Sequence, residues 1–591
     1  MDVINHDVLV IGGGLAGLRA AIAAVQQGAS VALVSKVYPM RSHTVAAEGG
    51  AAAVVRTDTV NAMTGQPMTD SLALHGYDTV SGSDYIADQP VVEYFVAHAP
   101  DEIIQLEHWG CPWSRDPDGR IAVRTFGGMS THRTVFAADK SGFHMLHAIF
   151  QTSLKYDGIV RYDENFATSL LVDDGRCQGA VCMDQRSGEF RVFTAKATIL
   201  ATGGVGRLWA FTTNGFINTG DGHGLAYRAG APLSDMEFPQ YHPTGLPGTG
   251  ILITEAARSE GGYLINNNGD RFLSDPTYKV ANRMELGPRD MISRAEIMEF
   301  EAGRGVPGRY GDNVLLDLRH LGAELIDRKL PFVRELAQRY IGIDPVKDPI
   351  PVRPVVHYMM GGVRTDIDGA SRLPGLFAAG ECAQEGLNGA NRLGSNSLTE
   401  CLVFGARTGA AAARFAAQAQ LGSNAVFEAQ GTDEERRIAR RFGESSGDER
   451  VGAIRAELQK VMEDYVGVFR TGEGLKQGSE AIRSLKERFT KVRIEDHSKT
   501  FNLELQAALE VDVMLELAQT VVEPAILREE SRGSQARRDF PNRDDEKFLA
   551  HSMAFRTPDG PRIEWDPADI IRDPKDMLFE HDLWVPKARA Y

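Results

Sequence analysis

Gly12, Gly14 and Gly17 have G-x-G-x-x-G spacing within HDVLVIGGGLAGLRAAIAAV. Without side chains at these positions the backbone can turn tightly and approach a pyrophosphate, whose charge is met by the amides and dipole of a helix N-terminus. The chemistry this predicts is dinucleotide binding. A second stretch, MRSHTVAAEGG over 40–50, sets His43 between the hydroxyl residues Ser42 and Thr44 and just ahead of Gly49 and Gly50. An imidazole there could sit in a surface turn, ligate a metal or attach a carried group. The five cysteines (111, 177, 182, 382 and 401) contain no C-x-x-C pair, which argues against a zinc or iron–sulfur centre held by this chain alone. Scattered thiols also fit a reducing compartment.

The glycines need a strand before them and a helix after them. Residues 8–11 read as a short buried strand, 18–27 as a helix and 31–34 as a second strand, a β-α-β unit. The acid that often ends the second strand is replaced by Ser35 and Lys36, so the ribose contact differs from the common one, and Lys36 does not by itself argue for a 2′-phosphate. The apolar run 8–25 approaches the length of a membrane span, but its glycines and Arg19 favour strand-turn-helix. The pattern begins within the first ten residues, so neither a secretory leader nor an anchor of its own is expected.

A chain of 591 residues implies several domains. A net charge of −16 lacks the basic excess of a nucleic-acid surface. The strands ending KATILATGGVGRLW and opening LPGLFAAGECA are similar to segments that complete the nucleotide domain of two-dinucleotide-fold flavoproteins. The expected organisation is therefore an α/β FAD-binding dinucleotide fold over 1–237 and 351–431. An α+β capping domain rich in Gly, Pro, Arg and Asn is inserted at 238–350. A helical bundle with apolar residues at three- and four-residue steps follows over 432–543, then a short C-terminal segment at 544–591.

The motifs SKVYPMRSHTVAAEGGAAAV, LEHWGCPWSR, FAADKSGFHMLH, YHPTGLPGTGILITEAARSEGG, ELGPRD, RPVVHYMMGGV and NGANRLGSNSLTE together resemble the flavoprotein subunit of succinate dehydrogenase and fumarate reductase. The first three lean toward the quinol:fumarate reductase branch. The resemblance implies FAD bound covalently at its 8α carbon through His43, which makes the flavin a better electron acceptor. By the same matching, flavin contacts come from Gly12, Gly14, Gly17, Ser35, Lys36, Ser42 and Thr44. Further along the chain they come from Gly49, Gly50, Asp221, Glu381, Arg392, Ser397 and Leu398. It implies that His242, Thr254, His357 and Arg392 grip the two carboxylates of succinate or fumarate, a task suited to the guanidinium fork. Flavin N5 would exchange a hydride with one carbon while Arg289 exchanges a proton with the next, relayed through Glu255 and Arg258. A plainer reading of Arg289 is a helix-start ion pair with Asp290.

The resemblance also implies partners: an iron–sulfur subunit that takes the electrons, membrane anchor subunits and a quinone, with this chain peripheral on the cytoplasmic side of the cell membrane. No resident metal is expected. L-Aspartate oxidase typically lacks the linking histidine, soluble fumarate reductases usually carry haem domains or lack that link, and no C-x-x-C-H is present. A non-catalytic flavin scaffold would not need the set of five residues at 242, 254, 289, 357 and 392. Three positions depart from the family pattern. Asn388 stands where histidine is common, Ser259 where glycine is common, and Ser534-Gln535 where Ala-His is usual. Asn388 is expected to weaken a hydrogen bond at the flavin edge.

Overall fold

The computed structural model describes residues 1–443 and 447–589. Its central sheet has seven strands, six of them ordered Ile159–Asp163, Val31–Ser35, Asp2–Ile11, Phe190–Leu200, Arg176–Asp184 and Asn165–Asp173. Leu376–Ala378 pairs in parallel with the end of Phe190–Leu200. The strand Asp2–Ile11 starts earlier than its apolar core suggests, because residues 2–6 pair with 191–195. The helix Leu15–Gln26 likewise starts three residues before the expected position. Gly14 is its extended N-cap, so residues 15–17 already form the first turn. A Cβ on Gly17 would lie 1.9 Å from the Gly12 carbonyl oxygen, so this glycine allows the helix to close against the turn. Helix Asn396–Gln418 packs along Leu15–Gln26 and fills the same core face.

A separate hydrophobic core spans Leu246 to Val352 in sequence. It lies under a four-stranded antiparallel sheet ordered Pro239–Gly245, Ile350–Met359, Val314–Asp317 and Tyr263–Ile265, with the helix Arg289–Glu301 alongside. The first two of these strands register Gln240 with Tyr358 and Tyr241 with Val356, which leaves His357 as an extra residue, a β-bulge. Bulges bend a strand and re-aim its side chains.

The helices Val451–Tyr465, Gly472–Phe489 and Leu503–Leu527 pack on one another. Another helix, Asn424–Ile438, begins ahead of the expected boundary at 432 because Phe427 is buried against Leu171, Val181 and Val192 of the central sheet. No helix among the described residues is long and apolar enough to cross a membrane.

The hairpin of Ala550–Thr557 and Gly560–Pro567 completes a five-stranded sheet with Leu233–Ser234, Gly362–Arg364 and Ala383–Gln384. His551 fastens it. Its Nδ1 lies 2.6 Å from Asp235 Oδ2 and its Nε2 lies 3.1 Å from Asp88 Oδ1. Burial opposes charge on this imidazole, but the two carboxylates prevail and push its pKa up to about 9. A raised folded-state pKa stabilises the fold fully below the unfolded value of about 6.5, and the contribution is lost as pH rises through about 9. The shift is worth on the order of 3 kcal/mol. The melting temperature should therefore fall between pH 7 and about 9, and His551→Gln, less stable at pH 7, should show a flatter profile over that window. Parallel profiles for the two proteins in a thermal melt series would refute the assignment.

Candidate functional site

A cavity of about 360 Å³ opens where the nucleotide-type turn meets the 3₁₀ turns Pro39–Arg41 and His43–Ala46. Its wall includes Gly12, Gly14, Ser35, Lys36, Ser42, His43 and Thr44. Asp221, His357, Glu381, Ser397 and Leu398 also line it. The first turns of helices Leu15–Gln26 and Asn396–Gln418 thus share one cavity, and first-turn amides are the usual seats for phosphate or carbonyl oxygens. Ser42 Oγ is buried with no hydrogen-bond partner, as a wall that receives a polar guest requires. Gly17, Gly49 and Gly50 stand off the wall. Gly17 packs on Gly12, Gly49 on Phe126, and Gly50 on Val135.

His43 is held by a hydrogen bond from the Gly215 backbone N–H to its Nδ1, at 3.3 Å. Burial, and then the charge of Arg207, pull its pKa down to about 4, so the ring is neutral near pH 7. With Nδ1 accepting, Nε2 is the nitrogen left for a further bond. Lys36 is fully committed. Its Nζ donates to Asp221 Oδ2 at 2.6 Å, to Glu510 Oε1 at 3.0 Å and to the Ile217 carbonyl at 2.9 Å. Two carboxylates already neutralise it, which removes the basis for a 2′-phosphate contact. Burial pushes Glu381 up to about 8, so at neutral pH it carries a proton and can donate as well as accept.

Next to this cavity is a cluster of polar side chains drawn from widely separated segments. Arg289, the first residue of its helix, directs Nε and Nη2 to Glu255 Oε2 at 2.9 and 2.8 Å. Its Nη1 donates to Gln240 Oε1 at 2.9 Å. Arg392 Nη2 donates to the same oxygen at 3.0 Å, and its Nη1 donates to Ser397 Oγ. The Arg392 guanidinium lies 4.3 Å from the Tyr358 ring centroid, and its Nε has no partner. Burial and then Arg289 lower its pKa to about 10. Glu255 Oε1 accepts from the Gly127 N–H and lies 3.7 Å from Arg258 Nη2. Burial opposes ionisation of Glu255, but Arg289 and Arg258 hold its pKa below the usual carboxylate value. The plainer reading of Arg289 does not apply, since Asp290 pairs instead with Arg589 and, at 3.8 Å, with Arg294.

The rings of His242 and His357 lie 5.1 Å apart. His242 Nδ1 accepts from the Thr244 N–H at 3.2 Å, and His357 Nδ1 is 2.8 Å from Thr213 Oγ1. Burial, and then the charge of Arg289, hold both imidazoles well below the usual histidine range. Both are therefore neutral, and His242 carries its proton on Nε2. Thr254 is buried and accepts from the Ala256 N–H through Oγ1 at 3.4 Å. The departures lie outside this contact set. Asn388 donates to Glu400 Oε2 at 2.8 Å behind Tyr358, and it is not on the cavity wall. Ser259 Oγ donates to the Thr125 carbonyl at 2.8 Å. Gln535 Nε2 donates to the Ala525 carbonyl at 3.0 Å, and the Ser534 N–H donates to the Ala390 carbonyl at 2.9 Å.

Gln240 is the residue the sequence reading missed. Its Nε2 donates to Asn391 Oδ1 at 3.1 Å and to the Arg392 carbonyl at 2.7 Å, which fixes its oxygen toward the two guanidiniums. A signal existed: residues 240 and 242 are two apart on one strand and so share a face.

A nucleotide-type sheet, a cavity between two helix N-termini and a buried cationic cluster beside it define a flavin-binding oxidoreductase. Residues 7–398 match the FAD binding domain family, and residues 455–591 match the fumarate reductase flavoprotein C-terminal family. The chain is 57% identical to the fumarate reductase flavoprotein subunit of Mycobacterium tuberculosis, over 99% of each chain. It is 49% identical to that of Escherichia coli K12, over 97% of this chain and 96% of the other. A solved E. coli quinol fumarate reductase superposes with a TM-score of 0.92 at 48% identity, covering 97% of this chain and 98% of that one. The Mycobacterium smegmatis Sdh1 complex gives 0.83 at 33%, covering 97% and 96%. The chain belongs to the fumarate reductase and succinate dehydrogenase flavoprotein family.

Removing the shared amide oxygen leaves two buried guanidiniums without their common acceptor, a loss of about 1.5–3 kcal/mol. Gln240→Leu should keep its FAD but bind malonate about 10- to 100-fold more weakly, as read by titrating the flavin absorbance. Unchanged affinity would show that Gln240 does not organise the cluster.

Proposed function

We propose that this chain interconverts fumarate and succinate on an FAD carried covalently by His43, and that it hands electrons to an iron–sulfur subunit of a membrane-attached, quinone-linked complex on the cytoplasmic side. The observation that carries the reading is the Arg289 guanidinium clamped between Glu255 and Gln240 beside Arg392, with two neutral histidines close by. Segment 238–350 acts as the cap that supplies His242, Thr254, Glu255, Arg258 and Arg289 to that place. Several features fit an FAD: the orphaned Ser42 hydroxyl, the two helix N-termini and the proton-bearing Glu381. When bound, FAD supplies a two-electron hydride acceptor and donor.

The chain's own groups do the rest. Arg392 binds one substrate carboxylate; its unpartnered Nε and neutral acceptors leave its charge available to a dianion. His242, His357 and Thr254 bind the other carboxylate as hydrogen-bond donors, because neutral imidazoles contribute N–H groups rather than charge. Arg289 exchanges the proton at the substrate carbon. An arginine ordinarily holds its proton too firmly for this. Here Glu255, in direct contact with Arg289, and then Arg258 offer a path for the proton to leave and return. Arg289, Glu255 and Arg258 are buried, so bulk water does not compete for the proton.

Arg289→Gln should retain covalent FAD and lose turnover by about 10²–10⁴-fold in both directions, consistent with general acid–base catalysis. Near-normal dye-linked rates would remove Arg289 from the role. His43→Ser should release its FAD on acid denaturation, retain some fumarate reduction and lose succinate oxidation. Flavin fluorescence that stays with the denatured polypeptide of this variant would place the attachment elsewhere.

A further inference from the structure

The last described stretch, 568–589, runs as a strap across the molecule. It is fastened at intervals. The Asp569 N–H donates to Asp88 Oδ1 at 2.7 Å and the Ile571 N–H to Gln89 Oε1 at 3.0 Å. His581 Nε2 lies 2.7 Å from Glu93 Oε1, and its ring stacks on Trp584 at 4.0 Å. Trp584 is buried against Gly76, and its carbonyl accepts from Gln89 Nε2 at 2.8 Å. The Lys587 carbonyl accepts from Arg543 Nη2 at 3.1 Å. So much anchoring delivers one side chain, Arg589, to a seam between two parts of the fold.

On one side of the seam is Asp84, in the turn between helices Leu72–Gly82 and Gln89–His108. On the other is Asp290, the residue directly after Arg289. Arg589 Nη2 donates to Asp290 Oδ2, and Nε lies 3.4 Å from Asp84 Oδ2. The Arg589 side chain is 8% exposed and that of Asp290 only 1%. Asp84 has other partners, Arg543 at 2.7 Å and the Gly533 N–H at 2.9 Å. Asp290 has little else: its contact to Arg294 is 3.8 Å, and its Oδ1 has no hydrogen-bond partner. A buried carboxylate that loses its close cation drives local rearrangement. Here that rearrangement falls on the first turn of the helix that carries Arg289.

We propose that Arg589 is a positioning residue for the reaction: it clasps the N-terminus of helix Arg289–Glu301 to the nucleotide-binding part of the fold and so holds Arg289 in line. The proposal rests on the role given to Arg289 above. Arg589 is not on the cavity wall, so its effect reaches the chemistry through the Arg289 contacts to Glu255 and Gln240. Misplacing a reacting group by about 1 Å costs on the order of 10²-fold in rate.

The test uses the FAD-loaded chain in its complex, with dye-linked assays in both directions. Arg589→Ala should keep its covalent flavin and a near-normal KM while kcat falls about 10- to 100-fold. Arg589→Lys should recover part of that loss, since one ammonium can meet Asp290 but cannot span to Asp84. Arg589→Ala combined with Asp290→Asn removes the unpaired charge and should restore thermal stability without restoring kcat. A kcat within twofold of the parent in Arg589→Ala overturns the proposal, as does full recovery of kcat in the double variant. The two readings fail separately. An active Arg289→Gln removes the catalytic role, whereas an inactive Arg289→Gln beside a fully active Arg589→Ala removes only the clasp.

Discussion

One amide oxygen holds the site together. Gln240 Oε1 accepts from Arg289 at 2.9 Å and from Arg392 at 3.0 Å, so two like charges share a single neutral acceptor in a buried place. Gathering cations away from water is unfavourable unless their donors are met and a counter-charge is near. Glu255 supplies one such charge, and an arriving dicarboxylate would supply more. The cluster is therefore incomplete alone, with an orphaned Arg392 Nε, and the rest of the architecture keeps it from relaxing.

Keeping it from relaxing needs distant parts of the chain. Arg392 lies just before helix Asn396–Gln418, which packs against the nucleotide-type helix. Gln240 and His242 share a strand face, and the bulge at residue 357 brings the second histidine ring within 5.1 Å of the first. Arg289 comes from the start of a helix on the separate core. The catalytic candidates thus stand on regular elements or within a few residues of one, and a rigid support is what a proton-transfer geometry requires.

Much of this was legible in the sequence, and the misses have physical causes. The G-x-G-x-x-G unit was readable because its constraints are local: strand, glycine contact and helix start fall within about twenty residues. Even there the helix begins early, since apolar periodicity marks the buried face rather than the first turn, which Gly14 caps. The helical region was legible by period, but its first helix was placed late because Phe427 belongs to the core of the sheet. Gln240 was overlooked because amides rarely announce chemistry by type, and its partners lie 49 and 152 residues away. The direction of His357 depends on a bulge, which a period-two pattern does not reveal. Arg589 reaches a carboxylate 299 residues upstream, beyond any spacing rule. The partner of Asn388, Glu400, lies 12 residues on in helix Asn396–Gln418, a contact that no local pattern reveals.

The hairpin that carries His551 bears on the order in which a new chain can settle. Asp88 and Asp235 belong to early-made segments, yet the imidazolium between them comes from near the far end. During synthesis Arg364 reaches Asp88 first, but neither carboxylate gains the imidazolium until residue 551 has left the ribosome. The strand Leu233–Ser234, which also pairs with Gly362–Arg364, gains its second neighbour, Ala550–Thr557, only then. Two segments made far apart in time, around residues 88 and 235, are therefore joined by a side chain that neither can meet until much later in translation.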